Sequence, residues 1–508
     1  MKRIALLAAT ALLAPASAAH ATTTVSNVAG TLRIDSVGKE TNVVELWQAG
    51  SEMRVRDTAS PITPGFGCQL ITPEIVACPH AGVTDIHATL GEGDDTINVG
   101  RWTFKPSILD GGPGADSLTG GPQNDRLIGG TGPDELNGGV NGVDTADYSA
   151  RTNNLGIYAD NGIADDGEYG EGDNVRWDVE NILGGSGRDV LWGNMLNNQL
   201  EGGPGNDVLQ GFSGNDILTG GPDRDSYRGD DGDDLFISDF EPDGRDTFYG
   251  GYGIDQVDYW RRNDTVVVDN DGVADDGAPG ELDNVDTDVE RITGGWGDDT
   301  LTGDAADNEL DGNGGNDALN GLGGNDRLIG GDDDDVLNGS TGDDTLLGNR
   351  WGDSLDGADT YSGGAGTDSA SYAGRPIGVR VDEDNLADDG EPGERDNVKS
   401  DVETLIGSNG ADTLSGGAAA NWLHGGPGND DLSGLGGLDW LYGEAGNDNL
   451  SGGAGDDRLR GGIGNDDLFG ADGVQHNDSL DAEAGIDSCV GDRNDSLISC
   501  EDSPINGN

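Results

Sequence analysis

An aspartate returns every nine residues through most of this chain, each one following glycines. Residues 202 to 228 show the register: GGPGNDVLQ, GFSGNDILT, GGPDRDSYR, with glycine at the front, aspartate at position 6 and a larger side chain at position 8. Carboxylates set among glycines suit a hard divalent cation, which takes about six to eight oxygens from carboxylates and backbone carbonyls. Glycines at positions 1, 2 and 4 let the backbone turn its carbonyls toward a shared centre. Position 5 is repeatedly Asn or Asp, as at Asn206, Asn215, Asn325, Asp343 and Asn429, types that tolerate left-handed turns. The candidate metal ligands are therefore the position-6 aspartates. They are Asp95, Asp116, Asp125, Asp134 and Asp144 in a first run, then Asp189, Asp207, Asp216, Asp225, Asp234 and Asp255. A third run holds Asp299, Asp317, Asp326, Asp335, Asp344 and Asp368, and a fourth Asp412, Asp430, Asp439, Asp448, Asp457, Asp466 and Asp487.

A fixed period of nine is the mark of a solenoid, in which each repeat buries its apolar side chain only against its neighbours. Position 8 supplies that side chain, for example Leu209, Leu328, Leu337 and Leu459. A second periodicity interrupts the first. Starting at Asp144, Asp255 and Asp368, the nonapeptides give way to inserts that share the segment A-D-D-G-x-x-G-E-x-D-N-V. Asp165, Asp166, Glu171 and Asp173 of the first insert correspond to Asp275, Asp276, Glu281 and Asp283, and to Asp388, Asp389, Glu394 and Asp396. Two readings stand for these carboxylates: a further calcium site, or the solvated turns of a longer β excursion.

With these repeats the chain resembles the RTX, or hemolysin-type calcium-binding repeat, family over roughly residues 90 to 490. The resemblance implies short strands at each x-U-x triplet, two nonapeptides per coil, and multiple Ca²⁺ ions lying between the turns of neighbouring coils. The expected fold is all-β: a parallel β-roll (RTX solenoid) with a small N-terminal antiparallel β domain. Some repeats depart from the pattern. Asn198, Asn308 and Asn421 stand at position 6, so these repeats extend the coil with weak or no calcium binding, and Trp351 replaces the position-4 glycine ahead of Asp353. Toxin-type members of the family leave the cell by a C-terminal signal, whereas this chain begins with an N-terminal one, which weakens any transfer of toxin activity.

That signal is MKRIALLAATALLAPASAAHA, with Lys2 and Arg3, an apolar run and an A-x-A site at Ala19, His20 and Ala21. It implies a secreted, extracellular protein. No later stretch is long and apolar enough for a membrane span. The 98 acidic against 27 basic residues, a formal charge of -71, argue against a nucleic-acid partner, which needs clustered Lys and Arg. Taken alone, such acidity with only 33% hydrophobic residues would read as disorder. The carboxylates recur in phase with glycines, so the charge reads instead as a ligand ladder, and the apo-solenoid is expected to be largely unfolded until calcium folds it.

The expected segments are a signal peptide at 1–21, an N-terminal β domain at 22–90 that abuts and caps the first coil, and repeat blocks at 91–144, 184–255, 294–368 and 407–481. Inserts occupy 145–183, 256–293 and 369–406, and a disulfide cap 482–508. Four cysteines allow three pairings; in an exported chain the local pairs Cys68 with Cys78 and Cys489 with Cys500 are the economical reading, against a zinc site for which the short spacing is missing. The five histidines form no H-E-x-x-H, and no G-x-S-x-G elbow is present, so no enzyme is expected. Trp192, Trp260, Trp296, Trp351, Trp422 and Trp440 punctuate the repeats. They either pack between coils or stack on sugar rings, and the second use would make a polysaccharide or cell surface the partner of an adhesion or matrix protein.

Overall fold

The central residue of each repeat's triplet is driven inward while the glycines before it form a turn, so each nonapeptide makes one short strand and one corner. The computed structural model describes residues 22–159, 162–240, 244–349, 357–470, 478–492 and 495–501, and among them every regular element is a β-strand. The signal segment 1–21, Trp351 and Asp353 lie outside the described residues. Two units are distinct: residues 1–150 with 155–183, and residues 151–154 with 184–508.

In the second unit, strands pair in parallel with strands one full coil away. Glu309–Gly314 pairs with Arg327–Asp332, setting Leu310 opposite Leu328, and Ala318–Asn320 pairs with Val336–Thr341, setting Leu319 opposite Leu337. Alternate strands thus feed two separate sheets, and the eighth-position side chains stack between them. Leu301, Leu310, Leu319, Leu328, Leu337 and Leu346 are all buried. Aromatic residues take over this column in the block before: Tyr227, Phe236 and Phe248 are fully buried, with the Tyr227 and Phe248 rings stacked at 4.7 Å.

The inserts are enlarged coils. In the second, Arg291–Thr293 pairs with Gln256–Asp258, so one sheet runs on through it, while the other ends where Asn284–Val285 pairs with Thr247–Tyr252 and a new sheet starts where Val267–Asp269 pairs with Thr300–Thr302. The excursion between these strands is closed by antiparallel bridges, Val267 with Gly277 and Asp276 with Asp283. Arg262 pins it from inside, 2.6 Å from Glu281, with both side chains 1% exposed. The third insert repeats the pair as Arg375 and Glu394 at 2.8 Å.

In the first unit the N-terminal strands are only partly antiparallel. Thr22–Val28 and Thr31–Val37 form one hairpin and Val43–Ala49 and Glu52–Asp57 another. One strand of each hairpin joins the coil direction: Thr31–Val37 pairs in parallel with Asp85–Thr89, and Val43–Ala49 with Thr96–Val99. The expected cap is therefore built into both sheets of the first coil, which leaves no unpaired edge there. Cys68 is bonded to Cys78, and Cys489 to Cys500. Cys489 sits at an eighth position, opposite Leu468 and fully buried, so the second disulfide ties the tail to the core column.

Candidate metal centre

The two oxygens of a position-6 carboxylate meet different surroundings. Oδ1 accepts the main-chain N–H of the corresponding residue one coil earlier: Asp317 from Asp299 at 2.7 Å, Asp335 from Asp317 at 2.8 Å, and Asp344 from Asp326 at 2.8 Å. The same bond joins Asp412, Asp430, Asp448, Asp466 and Asp487 in succession, and Asp95, Asp116 and Asp134 in the first unit. Asp225 and Asp457 accept it from Asp207 and Asp439, and Asp144 from Asp125. The glycine corners bring these residues into line, and the ladder fixes each carboxylate rigidly.

Oδ2 is the oxygen that remains. In Asp95, Asp116, Asp134, Asp207, Asp216, Asp234 and Asp255 it is buried with no hydrogen-bond partner among the described residues. The same holds for Asp317, Asp326, Asp335, Asp344, Asp368, Asp430, Asp439, Asp448, Asp466 and Asp487. Leaving one such oxygen bare is costly, and leaving a whole column bare is untenable for ionised groups without compensating charge. Backbone carbonyls converge on the same place. A Cβ added at Gly443 would fall 2.5 Å from Asp448 Oδ2 and 2.6 Å from the Gly461 carbonyl oxygen; one at Gly111 would fall 2.5 Å from Asp116 Oδ2 and 2.6 Å from the Gly129 carbonyl. Position 1 is glycine because a side chain would fill this cradle. Carboxylate and carbonyl oxygens in one buried cradle are the donor set of Ca²⁺.

Burial is the main reason these carboxyls hold their protons. It pushes Asp116, Asp207, Asp216, Asp255, Asp326 and Asp430 up to about 7, Asp134 and Asp317 to about 8, and Asp335 to about 9, with neighbouring carboxylates adding to the shift and the ladder N–H opposing it. A cation in the cradle would reverse that preference.

Four of the candidate aspartates sit differently. Gly121, Gly185, Gly295 and Ser408 each donate their N–H to Oδ2 of the aspartate four residues on, Asp125, Asp189, Asp299 and Asp412, at 2.5 to 2.7 Å. Asn198, Asn308 and Asn421 receive the equivalent bond from Asn194, Asp304 and Gly417.

The ladder also holds residues that the nine-residue pattern does not reveal. Asp246, Asp359 and Asp478 occupy rungs, accepting from Asp225, Asp335 and Asp457. Loops lengthen their spacing to 21, 24 and 21 residues, and the surviving signal is an aspartate two residues before a buried Phe248, Tyr361 or Leu480. At the inserts the rungs pass to Asp173, Asp283 and Asp396, whose Oδ2 accepts a buried tyrosine hydroxyl from Tyr148, Tyr259 and Tyr372. The parallel column ends on Glu180, Glu290 and Glu403.

The shared insert segment divides between two roles. Asp166, Asp276 and Asp389 are buried and hold backbone N–H groups of their own excursion, such as Val175, Val285 and Val398. Asp275 instead faces outward with Asp269 and Asp271, and Asp388 with Asp382 and Asp384, as two acidic groups whose oxygens lie within 4.8 Å of one another. Asp165, their counterpart in the first insert, belongs to no such group among the described residues.

Three of the repeat tryptophans meet another aromatic ring within the protein, whereas Trp260 and Trp296 are exposed. Trp422 and Trp440 stack face to face at 4.7 Å, Arg458 lies over Trp440 at 5.2 Å, and Trp192 meets Phe212 edge-on. Among the described residues no helix is long and apolar enough to cross a membrane.

The family model of the RTX calcium-binding nonapeptide repeat, which spans four copies, matches residues 108–140, 177–195, 193–227, 293–328, 320–350, 406–441 and 442–474. No curated protein matches the chain.

Proposed function

Because the chain carries RTX calcium-binding nonapeptide repeats, we propose that it is an exported protein whose repeat blocks fold into a β-roll on binding many Ca²⁺ ions outside the cell, with a binding and structural role rather than a catalytic one. The observation that carries this reading is the column of buried, unpartnered Oδ2 atoms beside glycine carbonyls. The residues that would hold the ions are the aspartates with that bare oxygen, together with the carbonyls at the front of each repeat. Calcium supplies the charge that lets these carboxylates stay ionised while buried, and it ties adjacent coils together. The N-terminal signal-like segment and the two disulfides support an oxidising destination. Affinity in the range of about 10⁻⁴ to 10⁻³ M, usual for extracellular modules, would keep the sites filled outside a cell and empty within it.

Equilibrium dialysis against calcium, in enough sodium chloride to suppress the Donnan excess of so acidic a chain, tests the reading. Many ions per chain, displaced by chelator but not by equimolar magnesium, are expected. Calcium no higher in the protein compartment than outside it would overturn the proposal.

A further inference from the structure

The repeats have two kinds of corner, and position 2 tells them apart. Where Oδ2 of the aspartate is bare, the position-2 residue is left-handed, at Gly130, Gly331 and Gly426 and also at residues with side chains: φ is 79° at Phe212, 66° at Leu322 and 66° at Leu435. Bulky residues rarely adopt that conformation, so something must hold them in it. At Gly121, Gly185, Asn194, Gly295, Asp304, Ser408 and Gly417 φ is not positive, and these are the residues whose N–H points inward to the position-6 side chain. An N–H aimed at that oxygen fills the place a cation would take and presents a positive dipole to it.

Six of these seven closed corners fall in one place: both corners of the first coil after each insert, residues 184–201, 294–311 and 407–424. The second corner of each such coil carries an amide at position 6, Asn198, Asn308 and Asn421. An amide oxygen accepts the N–H as well as a carboxylate does, but brings no charge for calcium.

We propose that the first coil after every insert is an ion-free coil, closed by its own backbone, on which the calcium-loaded coils of that block are built. Asp189, Asp299 and Asp412 are positioning residues in it, and the ion rows begin one coil later at Asp207, Asp317 and Asp430. This rests on the calcium-binding reading above.

The test compares two triple variants of the full chain by equilibrium dialysis. Asp189→Asn with Asp299→Asn and Asp412→Asn is expected to keep the wild-type number of calcium ions, whereas Asp207→Asn with Asp317→Asn and Asp430→Asn loses an ion or more for each substitution. Equal losses in the two variants would overturn the inference. Should the first variant misfold, Asn198→Asp with Asn308→Asp and Asn421→Asp decides: an unchanged count supports the ion-free coil, and one added ion per substitution contradicts it. A wild-type chain that binds no calcium would instead sink the functional reading.

Discussion

In the rungs with a bare Oδ2, one carboxylate oxygen fixes the aspartate and the other faces the cradle, and this division governs how the protein should respond to pH. Without calcium, buried carboxyls such as Asp134 and Asp317 hold their protons to about 8 in the folded state, against an ordinary value of 3.8. A raised folded value adds stability that is complete below the ordinary carboxylate range and lost as pH rises through about 7 to 8. The metal-free protein should therefore show its greatest β-sheet circular dichroism near about pH 4 and lose it toward about pH 8. With saturating calcium the order reverses, since ions need the deprotonated form. A metal-free signal that grows with pH would contradict this. The inserts rest on a different residue-scale device. Glu281→Gln removes the buried carboxylate that Arg262 pairs with at 2.6 Å, and breaking such a buried pair from one side costs about 3–5 kcal/mol. Hydrogen exchange in the calcium-loaded protein should then show the second insert opening before the blocks around it; unchanged protection there would show that the pair contributes little.

At the scale of strands and corners, the nine-residue period predicted a solenoid with an inward side chain at position 8, and the resemblance to the RTX family implied two nonapeptides per coil. The pairing of Leu310 with Leu328 has that eighteen-residue spacing. Leu328→Ala should cost about 2–5 kcal/mol by opening a cavity in the column, read as a lower melting temperature in calcium. The backbone state of position 2 was not legible, because Leu322, Ser340, Leu435 and Glu444 are left-handed although their side chains disfavour it; the neighbouring coil imposes the conformation. Replacing Leu322 with glycine removes a strain of about 1–2 kcal/mol, so Leu322→Gly should raise the melting temperature and lower the calcium midpoint. A lower melting temperature would show that the leucine side chain contributes more than its backbone costs. The ends of the ladder also escaped the pattern. Asp173, Asp283 and Asp396 stand 39, 37 and 37 residues beyond the rung they complete, so only the folded insert brings them into line.

For the whole chain, the question is what balances a formal charge of -71 in a fold whose carboxylates line up inside it. Proteins of this acidity with so few apolar residues are ordinarily unfolded, since repulsion and chain entropy exceed what burial returns. The column of leucines is one side chain wide, too thin to carry the solenoid alone, and the bare Oδ2 atoms mark where the missing charge enters. Calcium should thus be a structural component of each repeat block. The most direct measurement is far-ultraviolet circular dichroism of the full chain at neutral pH, taken metal-free, then with saturating calcium, then with excess chelator. A weak, largely disordered spectrum that becomes strongly β with calcium and reverts with chelator is the result expected. The same β spectrum in all three conditions would contradict the account.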